Sequence, residues 1–366
     1  MNLSHLHIQS LRNLVDITLS PSSRLNCLIG PNGSGKTSIL EAIYLLGLGR
    51  SFRSAQLNRV ITHDARELVL FAELVSPYSL EVPQKLGFSR DQQNKTRMKL
   101  NGDPIPSIAE LAQLLPILLL YAESYSLFRD SPRARRKWLD WGMFHVEPQF
   151  FPLWKKLQKV LQHRNALLKQ QAPDADIYVW DQQLIHLGET IHLLRTEFVT
   201  KWQMQVQAIL QELFVRDDLT LLYTAGWDLQ RGLAEHLSKN LSRDRALGYT
   251  SCGPQRADIQ IYIDGIPAQH VLSLGQQKLL VSGIILSQAT LVTSLTKKLP
   301  LLLIDDLPAE LDEGARQKIA GIIHKLEAQI FLTGIDLHTL EPFLNHTVET
   351  KMFHVEHGKI ADGFPI

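Results

Sequence analysis

Nine consecutive residues, Gly30-Pro31-Asn32-Gly33-Ser34-Gly35-Lys36-Thr37-Ser38, have the types and spacing to hold a polyphosphate. Gly30, Gly35, Lys36 and Thr37 fall at the G-x-x-x-x-G-K-[ST] positions of a P-loop. Gly33 and Gly35 let backbone N–H groups turn onto phosphate oxygens with no Cβ in the way. Lys36 reaches the β- and γ-phosphates, and the Thr37 hydroxyl can ligate Mg²⁺. The open N–H groups and dipole of a following helix favour the anion further. An ordinary strand-turn-helix is the bland alternative, and the complete pattern between apolar flanks favours a nucleotide site.

Two later stretches fit the same chemistry. Leu301 to Ile304 is an apolar, parallel-type strand that runs into Asp305-Asp306, so its carboxylates point at the nucleotide end of a sheet. Asp305 would hold Mg²⁺, directly or through water, and Asp306 would orient or deprotonate the attacking water. Ser273-Leu274-Gly275-Gln276-Gln277 opens an apolar helix. There the Ser273 hydroxyl, the Gly275 N–H and the helix start at Gln276 could grip a γ-phosphate, although from pattern alone a plain serine N-cap with a glycine turn is the favoured reading. The order of the three segments, about thirty residues separating the last two, is that of ABC-type ATPases.

These groups need elements to place them. Leu25, Leu28 and Ile29 read as a buried strand before the P-loop; Ile39, Leu40, Ile43, Leu45 and Leu46 follow at helical spacing. Residues 1–29 suggest two strands around a turn at Pro21-Ser22-Ser23, with Leu11-Arg12-Asn13 before the second half. A helix from Gly314 and a strand from Gln329 to Thr333 complete a further βαβ unit. The chain has 366 residues, 45% hydrophobic and 20% charged, at net charge +1, so any nucleic-acid surface is local. Its two cysteines, Cys27 and Cys252, suit a reduced compartment. The apolar run from Leu114 to Tyr121, broken at Pro116, is far too short for a bilayer, and a cytoplasmic location is the expectation.

The middle of the chain has a different character. Arg129 to Lys137 carries five basic residues, Arg129, Arg133, Arg135, Arg136 and Lys137, against one acid. Leu153, Trp154, Leu157, Val160, Leu161 and Leu168 then share a helical arc, with Lys155, Lys156, Lys159 and Lys169 opposite. A second periodic stretch through Ile191, Phe198, Trp202 and Leu213 makes an antiparallel helix pair. Arg164 falls on the apolar arc and breaks the pattern. Arg133, Arg135, Arg136, Lys137, Lys155, Lys156 and Lys159 are the DNA-backbone candidates, a solvated basic face being the alternative. Arg90, Lys95, Arg97 and Lys99 form a smaller basic hairpin that a lysine-blunted edge also explains.

The blocks Arg12-Asn13, Gly30 to Ser38, Ser131-Pro132 with Arg135-Arg136, Asp140-Trp141-Gly142, Phe144-His145-Val146-Glu147-Pro148, Gly253-Pro254-Gln255-Arg256-Ala257-Asp258, Ser273-Leu274-Gly275-Gln276 and Ile304-Asp305-Asp306 together resemble the RecF family, relatives of the SMC heads without their long coiled coil. The resemblance implies an α/β fold, an ABC-type, SMC-head-like P-loop ATPase lobe at 1–128 and 246–366 with an inserted mainly α-helical arm at 129–245. It implies ATP and Mg²⁺ as ligands and a homodimer formed on ATP, in which Ser273 to Gln276 of one copy closes on the nucleotide of the other. Ala309 to Asp312 would lie along that interface, and Arg12 and Asn13 would sit near the nucleotide. It further implies binding of double-stranded DNA near single-strand gaps and work with RecR and RecO in loading RecA, in repair, replication restart and the SOS response. The chain departs from general ABC ATPases in having Asp306 for glutamate and no switch histidine after Thr333; Glu123 is a Q-loop candidate by position alone. Slow, DNA-stimulated hydrolysis used as a switch is expected. An ATP-closed clamp without hydrolysis is the first alternative. A transporter ATPase subunit is the second, disfavoured by the long insertion over residues 38–272.

Overall fold

The computed structural model describes residues 1–78, 82–128, 131–214, 218–344 and 349–362. Strands β1 (Asn2–Leu11), β2 (Leu14–Leu19) and β3 (Leu25–Ile29) lead into α1 (Lys36–Leu48). Next come β4 (Glu67–Val75), β5 (Gln84–Asp91), β6 (Thr96–Leu100), β7 (Asp103–Pro104), α2 (Ile108–Leu114) and β8 (Ile117–Leu120). Helices α3 (Pro132–Val146), α4 (Phe150–Lys169) and α5 (Asp174–Phe214) precede β9 (Leu219–Thr224), α6 (Gly232–Lys239) and α7 (Leu241–Leu247). Then follow β10 (Asp258–Ile263), β11 (Ile266–Pro267), α8 (Ala268–Val271) and α9 (Leu274–Thr296). The chain closes with β12 (Leu301–Ile304), α10 (Leu307–Glu310), α11 (Glu313–Lys325), β13 (Gln329–Gly334), α12 (Leu337–Leu340), β14 (Thr350–Glu356) and β15 (Lys359–Asp362).

These elements form two compact units: a head, Met1–Tyr125 with Lys278–Ile366, and an arm, Ser126–Gln277. The expected boundary at 245/246 falls between β9 and β10, whereas the two compact units divide at 277/278, inside α9. The cause is strand pairing: β10 runs antiparallel to β9 from Asp258↔Thr224 to Ile263↔Leu219, and β11 pairs with β10. A hydrogen-bonded sheet is not divided between units, because the unpaired edge would lose its ladder. Ser273 and the first residues of α9 fall on the arm side of that division.

Two sheets build the head. One is antiparallel, in the order β2-β1-β4-β5-β6-β7. The other runs β15-β14-β3-β13-β12-β8 and is parallel from β14 to β8. Its strands β3, β12 and β13 are buried along their whole length, which is why they read as unbroken apolar runs rather than alternating ones. Helix α1 is buried all round, and Ile39, Leu40, Ile43 and Leu46 share one core with Leu6 and Leu70 of the first sheet and Leu303 and Phe331 of the second. The N-terminal region holds three strands rather than two, and β1 turns into β2 at Arg12-Asn13, where Arg12 takes φ 56°. Both cysteines are buried free thiols, and burial pushes Cys27 up to about 12. Helix α9 is long and apolar enough to cross a membrane, but 72% of its most apolar window is buried within the protein.

In the arm, α4 and α5 pack along each other, and the misplaced Arg164 acquires an explanation. Its guanidinium is fully buried and donates to Asp181 (2.6 Å), Asp244 (2.8 Å) and Thr250 (3.0 Å), tying α4 to α5 and α7. Asn165 accepts from the backbone N–H and the hydroxyl of Thr250, both at 2.8 Å. A lone cation on an apolar arc is costly, and here three oxygens offset that cost.

Candidate nucleotide site

Parallel strand order decides what meets at the head's carboxyl edge. β3 ends in the P-loop, β12 ends in Asp305-Asp306, and β13 lies between them. A cleft of about 420 Å³ at that edge is lined by Arg12, Asn13, Asn32, Gly33, Ser34, Gly35, Lys36, Thr37, Ser38, Arg53 and Asp306. Gly30 and Pro31 stand behind it, and their carbonyls accept from Lys36 Nζ at 2.7 and 3.0 Å. Gly35 sits at φ 122°, where a Cβ would also come within 2.7 Å of Leu14, so no other residue fits.

The acids are coupled to the P-loop directly. Thr37 Oγ1 donates to Asp305 Oδ1 at 3.0 Å, across 268 residues of sequence. Burial raises the Asp305 pKa, and the Asp306 charge adds to the rise, while hydrogen bonds from Thr37 and Thr333 work against it. Burial lowers the Lys36 pKa, opposed by Asp306 and Asp305. Asp306 has a left-handed backbone, φ 54° and ψ 15°, at the start of α10. Asp312, at the end of the expected interface segment, caps α11 by accepting from Ala315 N at 2.8 Å.

The β1–β2 turn is docked on the P-loop. Asn13 donates to Gly33 O at 3.1 Å and accepts from Ser38 Oγ at 3.1 Å. Arg12 grips Glu41 with two bonds, 3.0 and 2.9 Å, and Arg53 approaches the same carboxylate at 3.6 Å. Glu41 has no exposed surface, and Ser51 Oγ also donates to it. Glu41 thus holds two arginines at the rim of the cleft. Sequence reading passed over it, although an acid between Leu40 and Ala42 on a buried helix is a signal, since a buried charge demands partners.

Other expected residues lie elsewhere. Ser273, Gly275 and Gln276 stand exposed in the arm unit. Ser273 Oγ accepts from Gln276 N (3.4 Å) and Gln276 Oε1 from Ser273 N (3.0 Å), so the plain N-cap is real and forms a capping box. Glu123 is exposed, accepts from Tyr121 Oη at 3.1 Å and does not line the cleft. Among the basic candidates, Arg135 and Arg136 already have partners within the arm. Arg135 forms a two-bond pair with Asp258 at 2.9 and 2.8 Å, and Arg136 donates to Ala257 O. Their charge is largely committed to joining α3 to β10, which explains the density of cations that looked like a phosphate patch. Arg133, Lys137, Lys155, Lys156 and Lys159 are exposed; Arg129 lies outside the described residues.

The site suits a magnesium nucleotide on its own terms. The cleft gathers the cations Arg12, Lys36 and Arg53 with the oxygen donors Thr37 and Asp306, and Thr37 is hydrogen-bonded to Asp305. Among the described residues the buried Ser34 hydroxyl in the loop has no hydrogen-bond partner, as expected of a donor reserved for a ligand oxygen.

Residues 2–360 match the family model described as the RecF/RecN/SMC N terminal domain. The chain is 40% identical over 364 residues to the DNA replication and repair protein RecF of Cellvibrio japonicus (strain Ueda107), covering 99% of each. It is 41% identical over 362 residues to that of Pseudomonas aeruginosa (strain LESB58), covering 99% of this chain and 98% of the relative. A solved structure of the recombination mediator protein RecF with ATP, in the RecFOR pathway, superposes with TM-score 0.84 at 26% identity, covering 99% of this chain and 98% of that one. An Smc head bound to the C-winged helix domain of ScpA shares the fold at TM-score 0.62 and 13% identity.

Proposed function

The chain belongs to the RecF family of DNA replication and repair proteins, and from that premise we propose that it is an ATP-controlled DNA-binding switch of recombinational repair. The observation that carries the proposal is the meeting of Lys36, Thr37, Asp305 and Asp306 at one sheet edge. Gly30 to Ser38, with Arg12 and Asn13, hold the nucleotide. Thr37 and Asp305 would hold Mg²⁺, which would supply neutralisation of phosphate charge. Asp306 orients and deprotonates water, slowly, because its carboxylate is a methylene shorter than the glutamate of faster ABC ATPases. Ser273, Gly275 and Gln276 of a second copy complete the site, so ATP serves chiefly as a bond between subunits. Double-stranded DNA near a gap, and RecR and RecO acting toward RecA, are the partners that fit a relative of the RecFOR pathway, in the cytoplasm.

Sedimentation with and without ATP and gapped DNA tests this on the wild type and Ser273→Arg. The wild type is expected to dimerise with ATP, and Ser273→Arg to bind ATP yet stay monomeric. A wild type that remains monomeric with both ligands saturating removes the two-copy site.

DNA contact is assigned to Arg133, Lys137, Lys155, Lys156 and Lys159. The triple variant Lys155→Ala, Lys156→Ala, Lys159→Ala is expected to reduce the slope of log affinity against log salt by about 3, roughly one per lost phosphate contact. An unchanged slope excludes this face.

A further inference from the structure

We infer that Thr333 is a positioning residue, holding Asp306 in the posture from which it acts on water. The inference rests on the reading of Asp306 as the water-activating acid.

Thr333 lies near the end of β13, the strand between the P-loop strand and the Asp305-Asp306 strand, and has no exposed surface. Its hydroxyl oxygen accepts from the Asp306 backbone N–H at 2.8 Å, and lies 3.0 Å from Asp305 Oδ1 and 3.3 Å from Asp306 Oδ1. One hydroxyl has one proton, so it serves one carboxylate at a time. Asp305 Oδ1 already receives the Thr37 hydroxyl. With Thr37 supplying Asp305 Oδ1, the Thr333 proton is available to Asp306 Oδ1. The backbone bond has a second effect. Asp306 is held left-handed at φ 54°, ψ 15°, a state unfavourable for a side-chain-bearing residue that persists under restraint from its surroundings. Thr333 supplies that restraint, reaching the main chain and the carboxylate of Asp306 from a buried, immobile strand.

A buried threonine merely satisfied by its neighbours makes the same contacts, and the variants separate the two cases. Thr333→Val keeps the shape and removes the hydroxyl, while Thr333→Ser keeps the hydroxyl and removes the methyl. Three measurements are made on each: single-turnover ATP hydrolysis, affinity for a fluorescent ATP analogue, and deuterium exchange of the 305–311 amides without nucleotide. For Thr333→Val, hydrolysis is expected to fall by about 10²-fold, the analogue to bind as in the wild type, and the Asp306 amide to exchange about tenfold faster on loss of its acceptor. Thr333→Ser is expected to restore all three. Thr333→Val at the wild-type rate with Asp306 protection intact overturns the inference, and so does a Thr333→Ser as impaired as the valine. Asp306→Asn, measured alongside, isolates the premise. A wild-type rate there overturns the role of Asp306 itself, and the exchange data on Thr333→Val still decide whether Thr333 holds its backbone.

Discussion

Lys36→Ala is expected to weaken ATP binding by about 10²–10³-fold, the loss typical of truncating one partner of a buried, hydrogen-bonded charge pair. The folded chain itself should not suffer. Lys36 as a residue is 5% exposed, and its ammonium sits on the Gly30 and Pro31 carbonyls with its pKa lowered by burial. Its charge is a burden on the empty loop and an asset only when phosphate oxygens arrive. Thermal unfolding reads both effects in one experiment. At ATP near 100 times the wild-type dissociation constant, the wild type should gain about 2.7 kcal/mol. Lys36→Ala should gain almost nothing, from an equal or slightly higher starting midpoint. An ATP-dependent shift equal to the wild type's would remove Lys36 from the site.

Arg164→Ala is expected to cost about 3–5 kcal/mol of stability, because it strands the carboxylates of Asp181 and Asp244 in the arm, the latter with no exposed surface. That is a large share of the 5–15 kcal/mol by which domains are ordinarily stable. Urea unfolding measures it. The pH dependence has a definite sign. Burial already raises the Asp181 pKa, against the opposing hydrogen bond and charge of Arg164, and without that arginine the folded pKa rises further. A carboxyl group whose folded pKa lies above its unfolded value destabilises the native state once it ionises. The deficit should therefore narrow as pH falls through the raised folded pKa, and be smallest below about 3.9, the ordinary aspartate value. A deficit that is flat or widens on acidification would mean that lost packing of the arginine stem is the cause instead.

The sequence by itself determined what depends on neighbours a few residues away. The P-loop frame dictates a strand, a turn at positive φ and a helix start, because glycine and lysine spacing acts within one turn of backbone. The Leu301–Ile304 run determined a strand ending in acids, and the arcs of α4 and α5 determined a helix pair, since burial imposes a period on apolar residues. The family blocks likewise announced the head and its inserted arm.

Tertiary structure decided which charges meet, and there the residues alone were silent. Arg135 and Arg136 look like a phosphate patch until β10 brings Asp258 and Ala257 to them, more than 120 residues downstream. Arg164 looks like a flaw until α7 supplies Asp244, 80 residues on. Glu41 acquires Arg12 only through the β1–β2 turn, and Thr333 reaches both acids only because β13 lies between β3 and β12. A buried charge can be read from its apolar neighbours, but a partner distant in sequence has no period that names it. The energy of the pair depends on distance and desolvation, and both are set by strand order and helix packing after the chain has folded.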